Sequence, residues 1–172
     1  IFGYLFFISA IRSSITAFLP TFLNEQGKSL LFGGAALSVY QLAGAAGAFL
    51  AGTLSDKLGR KPTLVTIAIL SPILMFLFIS FSETPISFVF LLLLGFVIIA
   101  SGPVFLALVQ DVKTEQPAFL NGIYMTINFL MGAIMLLLIG ALGDSIGLLN
   151  IYKLSVFIGL PAIGFALALP KR

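Results

Sequence analysis

Arg12 stands as a full charge in the middle of a long apolar run, and polar residues recur around it at steps of three and four. Ser9, Arg12, Ser13, Thr16 and Pro20 would share one face of a helix. A central arginine costs about 2.5–3.5 kcal/mol on insertion scales, so it pairs with an anion or faces water. The next polar turn, at Asn24, lies roughly 18 Å of helix rise away, too far for the guanidinium to snorkel out. Its planar fork of donors suits a carboxylate, phosphate or phosphonate. Two readings follow: contact with an anionic group of a substrate, or neutralisation by an acid from outside this chain.

Tyr40 and Gln41 in a second run, and Tyr124 and Asn128 in a fifth, complete a set of substrate-binding candidates with Ser9, Arg12 and Thr16. The hydroxyls of Ser9 and Thr16 could instead bond a backbone carbonyl one turn back. Tyr40, Gln41, Tyr124 and Asn128 could equally tie helices together, at about 0.6 kcal/mol per contact in a membrane. Phe2, Phe6, Phe7 and the later phenylalanines read as packing or lipid-facing surface.

Absent residue types narrow the chemistry. With zero cysteine and zero histidine there is no thiolate, imidazole base or usual metal ligand, and a catalytic centre, a metal and a cofactor are all expected to be lacking. Asp56, Asp111 and Asp144 all fall at the ends of apolar runs. An intramembrane enzyme would therefore have neither a Ser–His pair nor a close pair of aspartates. The net charge of +3 comes from loop lysines and arginines, so no nucleic-acid surface is expected.

The elements that must position these residues are apolar. At 60% hydrophobic residues and a mean hydropathy of +1.19, the chain reads as an integral membrane protein whose partner is the lipid bilayer. Six runs, at about 1–23, 31–54, 63–82, 86–110, 118–142 and 151–169, approach the ~20 residues that span a bilayer. The first is expected to end at Pro20 and the polar turn from Asn24. The second, dense in glycine and alanine, should be buried among its neighbours. Kinks are expected at Pro72 and at Ser101-Gly102-Pro103. The chain begins at Ile1, without methionine and inside an apolar run, and reads as a fragment.

Four of the fifteen charged side chains, Asp56, Lys57, Arg60 and Lys61, crowd one connection between the second and third runs. Asp56 is i,i+4 to Arg60, a spacing that favours pairing. Lys57, Arg60, Lys61, Lys113, Lys171 and Arg172 fall on one side of the membrane, against Lys28 and Lys153 on the other. That bias puts both chain ends in the cytoplasm, with the plasma (inner) membrane as the expected location.

The sequence also repeats. Gly140-x-Leu142-x-Asp144-x-x-Gly147 reproduces Gly52-x-Leu54-x-Asp56-x-x-Gly59 eighty-eight positions later, and the same offset pairs Gly34 with Gly122, Gly44 with Gly132 and Tyr40 with Asn128. Three spans are duplicated, and because three is odd the second copy crosses the membrane in the opposite sense. The fold class expected is an all-α membrane protein with six helices in an inverted 3+3 repeat, the plan of secondary transporter halves.

Gly52-x-Leu-x-Asp56-x-x-Gly59-Arg60-Lys61 between a second and third helix resembles the signature loop of the major facilitator superfamily. The resemblance covers the whole chain. It implies one half, the carboxyl-terminal one, of a two-half bundle around a central cavity, with a missing amino-terminal six-helix half as partner and a small molecule as substrate. It further implies that Gly52, Asp56, Gly59, Arg60 and Lys61 form a conformational latch, Asp56 and Arg60 holding the halves closed on the cytoplasmic side. More loosely, Arg12, Pro103, Gln110-Asp111 and Pro117-x-x-x-Asn121-Gly122 are similar to fosmidomycin-resistance-type exporters, which implies drug or metabolite efflux by an antiporter. No carboxylate lies mid-membrane, so a proton-carrying residue would belong to the absent half. The alternatives are an uptake carrier for a sugar or organic anion, and a self-associating six-helix membrane protein.

Overall fold

A computed structural model describes residues 2–169. The charges at Lys171 and Arg172 therefore lie outside the described residues. Among the described residues eight helices form: α1 (Phe2–Glu25), α2 (Leu30–Leu58), α3 (Arg60–Ser80), α4 (Ser87–Ile99), α5 (Ser101–Gln110), α6 (Pro117–Ile146), α7 (Leu148–Gly159) and α8 (Pro161–Leu167). Taken with their breaks, α4–α5 and α7–α8 are single spans, so six stretches are long and apolar enough to cross a membrane. No strand occurs among the described residues. Helices are the outcome lipid dictates, because a spanning backbone must satisfy its own N–H and C=O groups.

The repeat is visible in the backbone. Displaced by eighty-eight residues, α2 falls on α6 and α3 on α7–α8, with ends agreeing to within a residue or so. Gly59 (φ 96°, ψ 149°) and Gly147 (φ 82°, ψ 151°) make the same link. That conformation is essentially closed to side-chain-bearing residues. Equivalent hydrogen bonds flank it: Gly59 N–H donates to the Ser55 carbonyl at 3.0 Å, and Gly147 N–H to that of Gly143 at 2.9 Å. Ser38 Oγ on Gly34 likewise matches Thr126 Oγ1 on Gly122. Packing obeys the same symmetry, since α2 lies chiefly along α4 while α6 lies along α1.

Several expected boundaries move. α2 runs on through Gly52 and Asp56 to Leu58, so the charged connection is no multi-residue turn but the single residue Gly59 between two helices. α1 continues through Pro20 to Glu25, and Pro20 instead becomes the surface on which the start of α2 rests, 2.7 Å from where a Gly33 Cβ would stand. α3 is unbroken at Pro72, the position where a kink rather than an end is expected. The break expected at Ser101-Gly102-Pro103 occurs at Ala100, and a further one, not anticipated, falls at Leu160 ahead of Pro161. Pro161 opens α8, where its missing N–H is not needed, and Pro103 falls within the first turn of α5.

The second span is also less enclosed than its composition implies. α2 buries only one stripe, Gly33, Ala36, Tyr40, Gly44, Gly47, Ala51 and Ser55, at steps of three and four. That stripe meets α4 at backbone distance: a Cβ on Gly47 would stand 2.0 Å from the Phe96 carbonyl oxygen, and one on Gly95 would stand 2.3 Å from that of Tyr40. Small residues here serve a single close seam rather than all-round burial. The remainder of the core joins α1 to α3 and α7, where the Phe22 and Tyr152 rings stack with centroids 4.2 Å apart. Tyr152 donates to the Ser14 carbonyl at 3.0 Å and Tyr4 to that of Leu64 at 3.3 Å.

Three spans separate the Gly59 and Gly147 links, which places them at opposite ends of the bundle. Ser55 is buried beneath the first link, whereas Lys57 and Ser145 are exposed. Single cysteines at Lys57 and Ser145 should therefore react with a membrane-impermeant thiol reagent from opposite sides; the orientation expected from the charge bias would make Ser145→Cys the one labelled in intact cells. Labelling of both from one side would remove the inverted repeat.

Candidate functional site

α1 carries Arg12, Ser13, Thr16 and Ala17 toward a concavity that α2 closes with Gln41, α4 with Ile99, and α6 with Asn128, Phe129, Gly132, Ala133 and Leu136. Its volume is about 540 Å³, within the range of small-molecule sites. The repeat explains its position, because α2 and α6 are equivalent helices flanking α1 and α4, which are equivalent in turn. Arg12 is half-buried and reaches across from α1 to α6. There its Nη2 donates to Asn128 Oδ1 at 3.4 Å, a long hydrogen bond. Both ion pairs found among the described residues belong to Arg60, so no carboxylate of these residues neutralises Arg12. The remaining polar lining, Ser13, Thr16, Gln41 and Asn128, is neutral. The site therefore presents one fixed cation among uncharged donors and acceptors.

The seven expected binding residues thus divide. Arg12, Thr16, Gln41 and Asn128 share the concavity; Ser9, Tyr40 and Tyr124 do not line it. Ser9 is buried and donates to the Phe6 carbonyl at 2.8 Å, the local bonding open to any helical serine. Tyr124 donates to the Gly102 carbonyl at 3.2 Å, just past the break between α4 and α5, and so ties span 5 to span 4. Tyr40 is wholly buried, one layer behind the wall, its hydroxyl beside Thr16 without a hydrogen bond of ordinary geometry. Periodicity placed Tyr40 beside Gln41, yet adjacent helical residues point about 100° apart, and only Gln41 turns to the open side.

The charged cluster lies at the end of the bundle where α2 meets α3. Arg60 pairs with Asp56 one turn back. It also donates through Nη1 to Ser55 Oγ at 2.7 Å and through Nε to Asp111 Oδ2 at 3.2 Å. Arg60 is thus a node linking the α2–α3 connection to the end of α5, while Asp56 stays largely in solvent, at 61% exposed. Lys61 donates to the carbonyls of Leu167 and Leu169 (2.6 Å to the latter), closing the C-terminal end of α8. Sequence reasoning did not find Asp111 or Ser55 as partners of Arg60; the charge of Asp111, alone at the end of an apolar span, was the available signal. Gly52 has open space where a Cβ would be, so its smallness meets no need within this chain, whereas Gly59 is required by its backbone.

A family model of the major facilitator superfamily matches residues 1–172. The chain belongs to the major facilitator superfamily. It is accordingly an integral, multi-pass membrane protein of a family that transports small solutes, and its six spans form the inverted three-plus-three unit of a major facilitator bundle. The match is to the superfamily as a whole and does not extend to the narrower exporter resemblance. No curated protein and no solved structure matched the chain.

Lining and gluing roles separate experimentally. Tyr124→Phe removes a hydrogen bond to a backbone carbonyl and should lower unfolding stability in detergent by about 0.5–1.5 kcal/mol without changing ligand affinity. Gln41→Ala, on an exposed wall position, should leave stability unchanged and weaken ligand affinity. A stability loss for Gln41→Ala equal to that of Tyr124→Phe would place Gln41 among the packing residues.

Proposed function

We propose that this chain is one six-helix half of a secondary transporter that moves small organic solutes bearing an anionic group, by alternating access about the Arg12 concavity. The observation carrying the proposal is Arg12 itself, a cation at mid-span, at the mouth of a cavity and without a carboxylate partner among the described residues. Intramembrane charge without such a partner is expensive unless a ligand or a facing subunit supplies the counter-charge. The ligand-binding set is Arg12, Thr16, Gln41 and Asn128, with Ser13 beside them. The direction proposed is export, with uptake of an organic anion as the alternative that directional assays in oriented vesicles decide.

Apolar surface flanking the concavity supports a second half. Leu42 and Phe49 on α2, and Phe129 and Leu137 on α6, are 72–83% exposed. A facing six-helix unit packed on these two helices would roof the cavity and let two halves rock about it. A second copy of this chain could take the same place. The Asp56–Arg60–Asp111 cluster is proposed as the latch, Asp56 being the member with surface to spare for that partner. In the complete transporter Asp56→Asn should slow transport while protein abundance stays near normal, since an exposed pair is worth only up to ~1 kcal/mol. Transport at the parental rate would exclude the latch.

Arg12→Lys tests the binding reading, because it keeps the charge but loses the two-point fork. Apparent affinity for carboxylate or phosphate solutes should fall about tenfold, the equivalent of one charge-assisted hydrogen bond. Neutral solutes should be little affected and abundance unchanged. Equal losses for neutral and anionic solutes, with reduced abundance, would make Arg12 half of a buried structural ion pair.

A further inference from the structure

A second polar cavity lies on the rim of the bundle, sharing no residue with the Arg12 concavity. About 700 Å³ in volume, it sits where α1 and α3 end and α7 begins, the same end as the Gly147 link. Its deeper wall is apolar, built from Phe76, Ile79, Val156 and Phe157. Phe76 and Phe157 are 59% and 68% exposed, and so face the acyl region around the bundle.

Lys153 lies between that wall and the surface. It is the sixth residue of α7, roughly 8 Å of helix rise in from the helix start, and is exposed. A lysine that close to a helix end snorkels, laying its stem along the apolar wall and bringing its ammonium to the level of lipid phosphates. The cavity's own carboxylate, Glu83, belongs to the connection after α3, nearer water, and neither charge is paired among the described residues. Gln26 completes the site: its Nε2 donates to Ser82 Oγ at 3.3 Å, while its Oε1 is buried and has no donor. Gln26 itself lines the cavity, which puts its amide within reach of a ligand held there.

From the membrane interior outward, then, the cavity presents hydrocarbon, a cation, and finally a carboxylate with an amide acceptor needing a donor. We propose that it holds one phospholipid with a primary-amine headgroup, of the phosphatidylethanolamine type. The acyl chains lie along Phe76 and Phe157, the phosphate pairs with Lys153, and the ammonium donates to Glu83 and Gln26. A choline headgroup has no N–H to give the Gln26 oxygen, and a glycerol headgroup has no charge for Glu83, so the order of groups selects the amine.

Native mass spectrometry of the full purified chain, incubated with phosphatidylethanolamine, phosphatidylcholine or phosphatidylglycerol of identical acyl chains, tests this. Phosphatidylethanolamine should be retained at one per chain, above the other two. Lys153→Gln should reduce retention of both phosphatidylethanolamine and phosphatidylglycerol roughly tenfold, the effect of one lost ionic contact. Lys153→Arg should preserve it, which guards against misfolding as the cause. Glu83→Gln should reduce phosphatidylethanolamine retention alone. Unchanged retention in Lys153→Gln, or wild-type retention of the choline or glycerol lipid equal to that of the amine lipid, would overturn the proposal.

Discussion

Lipid offers no water to a backbone, so a group that leaves the helical ladder inside the membrane must find a partner in the protein. Much of the polar chemistry in this chain answers that demand. Ser14, Ser71, Ser101 and Ser155 all return their hydroxyls to a carbonyl three or four residues back. Tyr124 serves the carbonyl just past the break at Ala100, and Lys61 serves those at the end of α8. Once these are accounted for, Arg12, Gln41 and Thr16 remain around one concavity without a backbone to serve, which is why function is sought there.

The inverted repeat explains where that concavity lies, and departures from the repeat explain why it is chemically one-sided. Equivalent glycines at 59 and 147 link helices in the same conformation, so both halves of the unit have the same skeleton. Yet the residue equivalent to Arg12 is Ala100, the one at Tyr40 becomes Asn128, and Arg60-Lys61 becomes Leu148-Leu149. Asp144 keeps the charge of Asp56, but only the first copy carries basic residues at its link, and only the first carries the cation in its first span. Where Arg12 threads an intact helix, Ala100 sits at a break. Symmetric backbones with asymmetric side chains give one wall bearing a cation and one end bearing the basic cluster.

Six spans, their order and the repeat were legible in the sequence because hydropathy and glycine spacing are local properties that packing in lipid reads directly. Helix ends were less so. The run from Gly52 to Leu58 looks like a turn by composition, but Asp56, Lys57 and Arg60 lie at the water boundary, where a charged helical turn costs little, and so α2 simply continues to Gly59. The site was half legible: spacing identified the α1 face bearing Arg12 and Thr16, but not which way Tyr40 and Tyr124 turn. A tyrosine combines a large apolar ring with one hydroxyl, and burying the ring wins when the hydroxyl can reach a carbonyl, as Tyr124 does. The Arg60–Asp111 pair, fifty-one residues apart, was invisible to any local pattern.

The two arginines differ in where they lie along the spans and in the exposure of their partners. Arg60 has more ionic partners, Asp56 and Asp111, and both are substantially exposed, at 61% and 42%. Water screening holds each such contact to ~1 kcal/mol or less, so the cluster can break and reform as the protein changes shape without endangering the fold. Arg12 has one long hydrogen bond to a neutral amide, in surroundings where electrostatic interactions are stronger because water is scarce. A counter-charge arriving there gains more than it would at Arg60, and departure of that charge costs more. On the proposed reading, the cluster with its exposed carboxylates sets a conformational balance with small energies, and Arg12 makes that balance depend on whether an anion is bound.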